Sequence, residues 1–206
     1  MDTKEKILQA SLKLFARDGY EGVSVRNIAE ELGMTKGALY KHYENKQDIF
    51  DSIIKRMEEM DTQKAKEFNV PVGSFENAEE EYRNAAFGNI KAFSVEMFKY
   101  WTADEFASNF RKMLTLEQYR NSKMASLLNQ YLTGGVVGYA EELMRESVRD
   151  TVNSGKDAKI LALEYFAPIY MMMGMSDNMD DKGIALQMVE KHIDYFMESM
   201  IGREPK

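Results

Sequence analysis

The stretch Thr35-Lys36-Gly37-Ala38-Leu39-Tyr40-Lys41-His42-Tyr43-Glu44-Asn45-Lys46, preceded by Ile28-Ala29-Glu30-Glu31-Leu32-Gly33-Met34, decides how this chain folds. Gly33 follows the apolar positions Ile28, Ala29 and Leu32, where a left-handed residue closes a helix. Thr35 stands where an N-cap belongs, its hydroxyl available to a free N–H of the next turn. The pattern predicts a helix, a tight turn and a second short helix from about Lys36 to Tyr43. Leu39 then faces inward, and Lys36, Tyr40 and Lys41 face outward. Such an outward set suits a DNA groove with phosphate on both sides.

Outward from this stretch the periodicity stays helical. Asp2 or Thr3 can cap a first helix to about Arg17, with Ile7, Leu8, Ser11, Leu14 and Phe15 inward, and Asp18-Gly19 ends it. Ser24 is the expected N-cap of the helix Val25–Leu32. Asn45 is placed to cap a long fourth helix to about Glu67, with Asp48 near the positive end of its dipole. Asn69–Ser74 is the clearest break in the chain. Further helices are expected over Glu76–Trp101, from a cap at Thr102-Ala-Asp-Glu, from Thr115 to Leu132, and from Val136 to Val152. Residues 157–175 are apolar nearly all round and so must be buried on more than one side, while 181–201 carry a broad apolar stripe. No stretch alternates like a strand. The expected fold is all-α: residues 1–47 as a helix-turn-helix domain with a reading unit at about 24–43, and residues 48–206 as a helical domain for effector binding and dimerisation.

The first quarter of the chain also resembles a known family. Ile7-Leu8, Ala10, Leu14-Phe15, Gly19-Tyr20, Ser24-Val25-Arg26, Ile28-Ala29, Gly33, Lys36-Gly37, Leu39-Tyr40, His42-Tyr43 and Asn45-Lys46 together resemble the DNA-binding region of the TetR family of bacterial transcriptional regulators. No single residue is specific; the intact spacing is. The resemblance implies DNA contacts from Ser24, Arg26, Thr35, Lys36, Gly37, Ala38, Tyr40, Lys41, His42 and Lys46. The residues themselves carry part of this. Gly37 inside a helix costs about 1 kcal/mol relative to Ala, which tolerance or close approach to a DNA backbone would explain. Lys46 in a first helical turn opposes the dipole unless a phosphate binds there, and Arg26 fits the same logic. Tyr40 and His42 taken alone also fit a half-buried tyrosine and a solvated histidine. Tyr43 falls on the family's aromatic core position. Glu44 departs from the small residue or proline often found there.

Charge and composition bound the alternatives. With 44% hydrophobic residues and 3 prolines in 206, the chain can bury a core. The formal charge of −7 looks wrong for a DNA binder. Residues 1–48, however, carry eight basic and eight acidic side chains, so the acidic excess lies beyond them. There is no cysteine, and the two histidines, His42 and His192, lie far apart, so no metal or cofactor is expected. No phosphate loop, nucleophile elbow or His-Glu metal motif points to an enzyme. The charged N-terminus and the absence of a long apolar run make the cytoplasm the expected compartment, with no membrane partner.

The second half of the chain is read by composition. Phe93, Met97, Trp101, Tyr131 and Tyr170 bring aromatic and polar-tipped side chains to apolar faces, which serve equally as core or as a ligand pocket. The pocket is expected among the fourth helix, Glu76–Trp101, Thr115–Leu132 and the penultimate helix. Phe166, Ile169, Val189, Ile193, Phe196 and Met197 are the expected dimer interface, because the last helical hairpin has more apolar surface than one small core needs. His192 on that stripe reads as a satisfied core or interface histidine. The expected function is a repressor that binds a palindromic DNA operator as a homodimer and is released by a small apolar effector. The rival is a helical scaffold protein that keeps the fold without binding DNA.

Overall fold

The computed structural model describes residues 2–67, 90–148 and 155–200, apart from the side chains of 65 and 146–148. Expectations for the break at 69–74, for the first part of the helix drawn from Glu76, for residues 149–154 and for residue 201 lie outside the described residues. Among the described residues every regular element is a helix. They are α1 (Thr3–Asp18), α2 (Val25–Glu31), α3 (Lys36–Leu39), α4 (Lys46–Glu67), α5 (Ile90–Ala103), α6 (Glu105–Glu117), α7 (Ser122–Leu132), α8 (Gly134–Val148), α9 (Ala158–Ser176) and α10 (Lys182–Met200). The chain forms two compact units. One joins Met1–Lys64 to Asp104–Leu128; the other joins Ala65–Ala103 to Asn129–Lys206.

The first unit is built on α1. Its inward face holds Ile7, Leu8, Ser11, Leu12, Leu14 and Phe15, all buried, against α2 and α6. Ser11 is tolerated there because its hydroxyl donates to the Ile7 carbonyl at 2.7 Å. Asp2 occupies the N-cap position of α1 without a side-chain capping bond. Gly19 then ends the helix at φ 79° and ψ 154°, a conformation essentially confined to glycine. A Cβ there would lie 2.5 Å from Oε1 of Glu117, so glycine is required twice over.

The helix boundaries that follow agree with expectation at Asp104 and differ from it at Thr115. Asp104, within the expected capping stretch, is the residue that caps α6, accepting from Ala107 N at 2.9 Å. Thr115 does not open a helix. Its hydroxyl donates to the Arg111 carbonyl within α6 at 2.9 Å, and the buried face continues through Leu114 to Glu117. The next helix starts at Ser122 because Asn121 offers its carboxamide oxygen to the amides of Lys123 and Met124. Tyr119, expected inside a helix, lies between the two and is 89% exposed.

The second unit is organised around α9, which packs against α5, α8 and α10. Leu161, Ala162, Tyr165, Ile169, Met172 and Met173 are buried on one face, but the burial expected on more than one side is not met within the chain, since Ile160, Leu163, Met171 and Met175 stay exposed. The polar groups brought inside are paired. Tyr165 Oη lies 2.6 Å from Ser94 Oγ of α5. Nε2 of His192 on α10 lies 2.8 Å from the Tyr165 carbonyl, which can only accept, so Nε2 carries the hydrogen. At one end of this unit Lys182 Nζ donates to the Thr102 carbonyl at 2.7 Å.

Burial pushes the Tyr165 hydroxyl up to about 12 from an ordinary 10.0, with the Ser94 bond opposing the shift. The fold therefore favours the neutral phenol. That stabilisation is complete below pH 10 and is lost as the pH rises from 10 toward 12, when the unfolded chain ionises first. Denaturant titrations at pH 8 and pH 11 should show stability falling, and the fall should be shallower in Tyr165→Phe. Gly19→Ala should lower stability by about 2 kcal/mol or more, combining backbone strain with displacement of a buried carboxylate. Gly33→Ala, at φ 61° with open space around it, should cost about 1 kcal/mol in the same assay.

Candidate nucleic-acid interface

The helix-turn-helix is held by local capping at every corner. Ser24 accepts from Asn27 N at 3.2 Å, and Asn27 Oδ1 accepts from Ser24 N at 2.9 Å, a reciprocal capping box. At the other end of α2, Gly33 takes φ 61°, its N–H bonds the Glu30 carbonyl and Met34 N bonds Ala29 O at 2.9 Å. Thr35 Oγ1 accepts from Ala38 N at 3.1 Å and so starts α3. Ile28, Ala29 and Leu39 are buried, which fixes the inner faces of both helices.

The outer face of α3 follows from those constraints. Lys36, Gly37 and Lys41 are exposed, Ala38 and His42 half-buried, and Tyr40 is 45% exposed. The helix is shorter than the expected run to Tyr43. It stops at Leu39 and gives way to a turn in which His42 N bonds Leu39 O at 2.9 Å. Lys36 Nζ lies 5.7 Å from the Tyr40 ring centroid, so cation and ring share one patch. A Cβ on Gly37 would meet nothing nearer than Thr35 Oγ1 at 4.0 Å. Packing within the chain therefore gives no reason for a glycine there. Ser24 and Thr35 are exposed and committed to their caps, and Arg26 is exposed in an i,i+4 pair with Glu30 at 2.7 Å.

Tyr43 and Lys46 point back into the unit. The Tyr43 ring is buried and its hydroxyl donates to the Lys4 carbonyl at 3.2 Å. Burial, with Glu5 and Asp48 adding, pushes that hydroxyl up to about 12. Lys46 lies over the Tyr20 ring, 4.2 Å from its centroid, and its ammonium donates to the Tyr20 carbonyl at 2.8 Å. Glu21 is a further 3.8 Å neighbour of that ammonium. The N-terminus of α4 is in turn closed by its own residues: Asn45 Oδ1 accepts from Asp48 N, and Asp48 Oδ2 accepts from Glu44 N.

Sequence reasoning missed the residue on which these contacts converge. The Tyr20 ring packs between Phe15 and Phe50, with centroids 5.1 and 5.2 Å away. Its hydroxyl donates to Gln47 Oε1 at 3.2 Å, and its N–H donates to Oε1 of Glu117 at 2.9 Å. Gly19-Tyr20 is visible in the sequence as a helix end followed by an aromatic, but nothing marks a carboxylate 97 residues away as its acceptor.

The remaining candidate residues fall in the second unit. Phe93, Met97 and Trp101 recur along α5 at i, i+4 and i+8; Trp101 is buried with its ring centroid 6.4 Å from Tyr131, and Phe93 lies 6.3 Å from Tyr139. The Tyr170 ring lies 6.3 Å from that of Phe166 one turn earlier in α9, tilted by 32°. Of the residues assigned to the dimer interface, Ile169, Val189, Ile193 and Phe196 are buried within the chain itself; Phe166 and Met197 are half-buried. The large apolar side chains that α9 and α10 leave exposed are Ile160, Leu163, Met171 and Met175 on the first, and Ile184, Met188 and Tyr195 on the second.

Residues 7–53 match the sequence profile described as bacterial regulatory proteins, tetR family. The match is confined to this N-terminal segment. The chain is 38% identical over 52 residues to the HTH-type transcriptional regulator AcrR of Shigella flexneri, covering 25% of this chain and 24% of AcrR. The chain thus spans about a quarter of the length of that relative. Likeness of fold extends much further. SmeT, repressor of the Stenotrophomonas maltophilia multidrug efflux pump SmeDEF, in a complex with triclosan has a TM-score of 0.61 at 20% identity, covering 96% of this chain and 90% of that one. The fatty acid degradation regulator FadR of Bacillus halodurans has a TM-score of 0.57 at 19% identity, covering 94% and 95%. The fold of these two regulators is therefore shared over nearly the whole chain. Among the described residues no helix is long and apolar enough to cross a membrane.

Lys46→Ala removes a charge-assisted hydrogen bond and a cation–π contact from the Tyr20 junction. It should lower unfolding free energy by about 1–3 kcal/mol. Lys41→Ala, exposed, should stay within about 0.5 kcal/mol in the same denaturant titration.

Proposed function

We propose that this chain is a DNA-binding transcriptional regulator, a repressor that grips a palindromic operator as a homodimer and is released by a small apolar ligand. The observation that carries the reading is the outer face of α3. Lys36, Gly37, Tyr40 and Lys41 are turned outward from a frame whose every corner is capped and whose inner residues are buried. Lys36 and Lys41 supply phosphate contacts. Gly37 lets the DNA backbone approach, and Tyr40 supplies a hydroxyl or a ring face to phosphate or to a thymine methyl group. Arg26, at the start of α2, serves the opposite strand once it leaves Glu30; Ser24, Thr35, Ala38 and His42 border the same surface. Lys46, with its ammonium on Tyr20, contributes field and support.

The homodimer rests on α9 and α10. Their outward apolar residues form a surface of the kind that a monomer rarely leaves in water. A twofold axis would pair like surfaces, and two heads on successive major grooves need centres about 34–36 Å apart. The interface is accordingly assigned to Ile160, Leu163, Met171, Met175, Ile184, Met188 and Tyr195, with Phe166 and Met197 at its edge. Ile169, Val189, Ile193 and Phe196 support it from within. The effector reading rests on the face of α5 that carries Phe93, Met97 and Trp101, where Phe93 lies beside Tyr139 and Trp101 beside Tyr131. The triclosan complex of SmeT adds to it by fold alone. A ligand would act by its differential affinity for the two head spacings. The cytoplasm is the compartment this function requires.

Gel shift against a duplex selected by the protein from a random-sequence pool tests the reading. Lys36→Ala and Tyr40→Ala should each weaken binding by about 1–3 kcal/mol without lowering stability, and Lys36→Ala should reduce the salt slope by about one. Normal binding by both variants, or no duplex selected by the wild type, would favour the scaffold reading. For the dimer, Met171→Glu with Met188→Glu should yield folded monomers in sedimentation. Ile193→Asp should instead unfold the chain by burying a lone charge.

A further inference from the structure

Glu117 is the last residue of α6, and only 1% of it is exposed. Its Oε1 accepts the Tyr20 N–H at 2.9 Å, while its Oε2 is buried without a hydrogen-bond partner. A buried carboxylate is costly, and an acceptor left unpaired adds to that cost. A single backbone bond is a small return if the contact serves only to pack α6 against α1. The contact also dictates sequence on the other side: an added Cβ on Gly19 would strike Oε1 itself. Tyr20 is gripped from the opposite end of its main chain by Lys46, whose ammonium takes the Tyr20 carbonyl at 2.8 Å. Three residues later Val23 is buried, its N–H reaching back to the Tyr20 carbonyl at 3.4 Å, and Ser24 then caps α2.

We infer that Glu117 is a positioning residue for the reading head. Through the Tyr20 amide it fixes the turn between α1 and α2, and with it the register at which Ser24 starts α2 and presents Arg26. The inference rests on the DNA-binding reading, but the grip itself is a property of the free protein. Glu117 contacts no surface that faces DNA, so its removal alters the head without deleting a phosphate contact. The carboxylate is matched to this task by reach: Asp would fall short of the amide, whereas Gln would keep an acceptor oxygen at the same distance.

The test compares wild type with Glu117→Ala, Glu117→Asp and Glu117→Gln in the full-length protein by two measurements. Amide hydrogen exchange is followed at Tyr20 and over Val23–Asn27 in the absence of DNA. Binding is measured, with its salt dependence, to a duplex selected by the wild type from a random-sequence pool. In Ala and Asp, exchange at Tyr20 and through the first turn of α2 should accelerate about tenfold, with affinity lower by about tenfold at unchanged salt slope. Gln should restore both to within a few-fold. A merely packing role would lower the melting temperature while leaving affinity and α2 exchange at their wild-type values, and that result overturns the inference. Equal loss in Gln and Ala overturns it as well. If Glu117→Ala does not fold, the Asp and Gln pair decides the same question. If the wild type selects no duplex, the DNA reading fails, and exchange decides the grip by itself.

Discussion

Tyr20 is the residue at which the first unit is tied together, and it is bonded through its main chain, its ring and its hydroxyl. The amide goes to Glu117 on α6, the carbonyl to Lys46 on α4, the hydroxyl to Gln47, and the ring packs between Phe15 and Phe50. A neutral hydrogen bond contributes about 1 kcal/mol and one to a charged group up to about 3, so no single contact here is decisive. Their convergence on one residue is. Displacing Tyr20 would take the donor from a buried carboxylate and the acceptor from an ammonium at once. The short helices α2 and α3, seven and four residues long, gain little stability from propensity and depend on this anchored frame.

How far the sequence reveals this depends on the range of the interaction. Ser24, Gly33 and Thr35 are legible because a cap and the groups it satisfies lie within three or four residues. Leu39 and Ile28 are legible for the same reason, through helical period. Lys46 is not: the sequence shows a cation in a first turn but not the carbonyl 26 residues earlier that receives it. Glu117 is further still from legibility, since a glutamate near a helix end reads as a solvated residue. Thr115 misleads in a local way, because a threonine can cap the helix that follows or bond the turn behind it, and α6 takes the second option.

Apolar residues in the second unit show a different limit. Periodicity marks α9 as apolar nearly all round and α10 as carrying a broad apolar stripe, yet within the chain α9 buries one face and leaves Ile160, Leu163, Met171 and Met175 exposed. Periodicity does not say which apolar side serves the chain's own core. Ile169, Val189, Ile193 and Phe196 turn inward, whereas Met171, Met188 and Tyr195 on the same helices do not. The inward side also carries polar contacts that single letters do not announce, the Tyr165 hydroxyl on Ser94 and His192 on the Tyr165 carbonyl.

Gly37 carries a consequence of another kind. Its neighbours leave a Cβ free of contact, and its backbone is helical, so the fold places no demand on what stands there. A larger residue would even relieve the entropic weakness of glycine in a helix. Position 37 is thus a place where the surface of α3 can drift under mutation without endangering folding, in contrast to Gly19, where almost any change would. A chain arranged in this way can change what its surface meets while its scaffold stays fixed, and its mutational tolerance is greatest along the face that α3 turns outward.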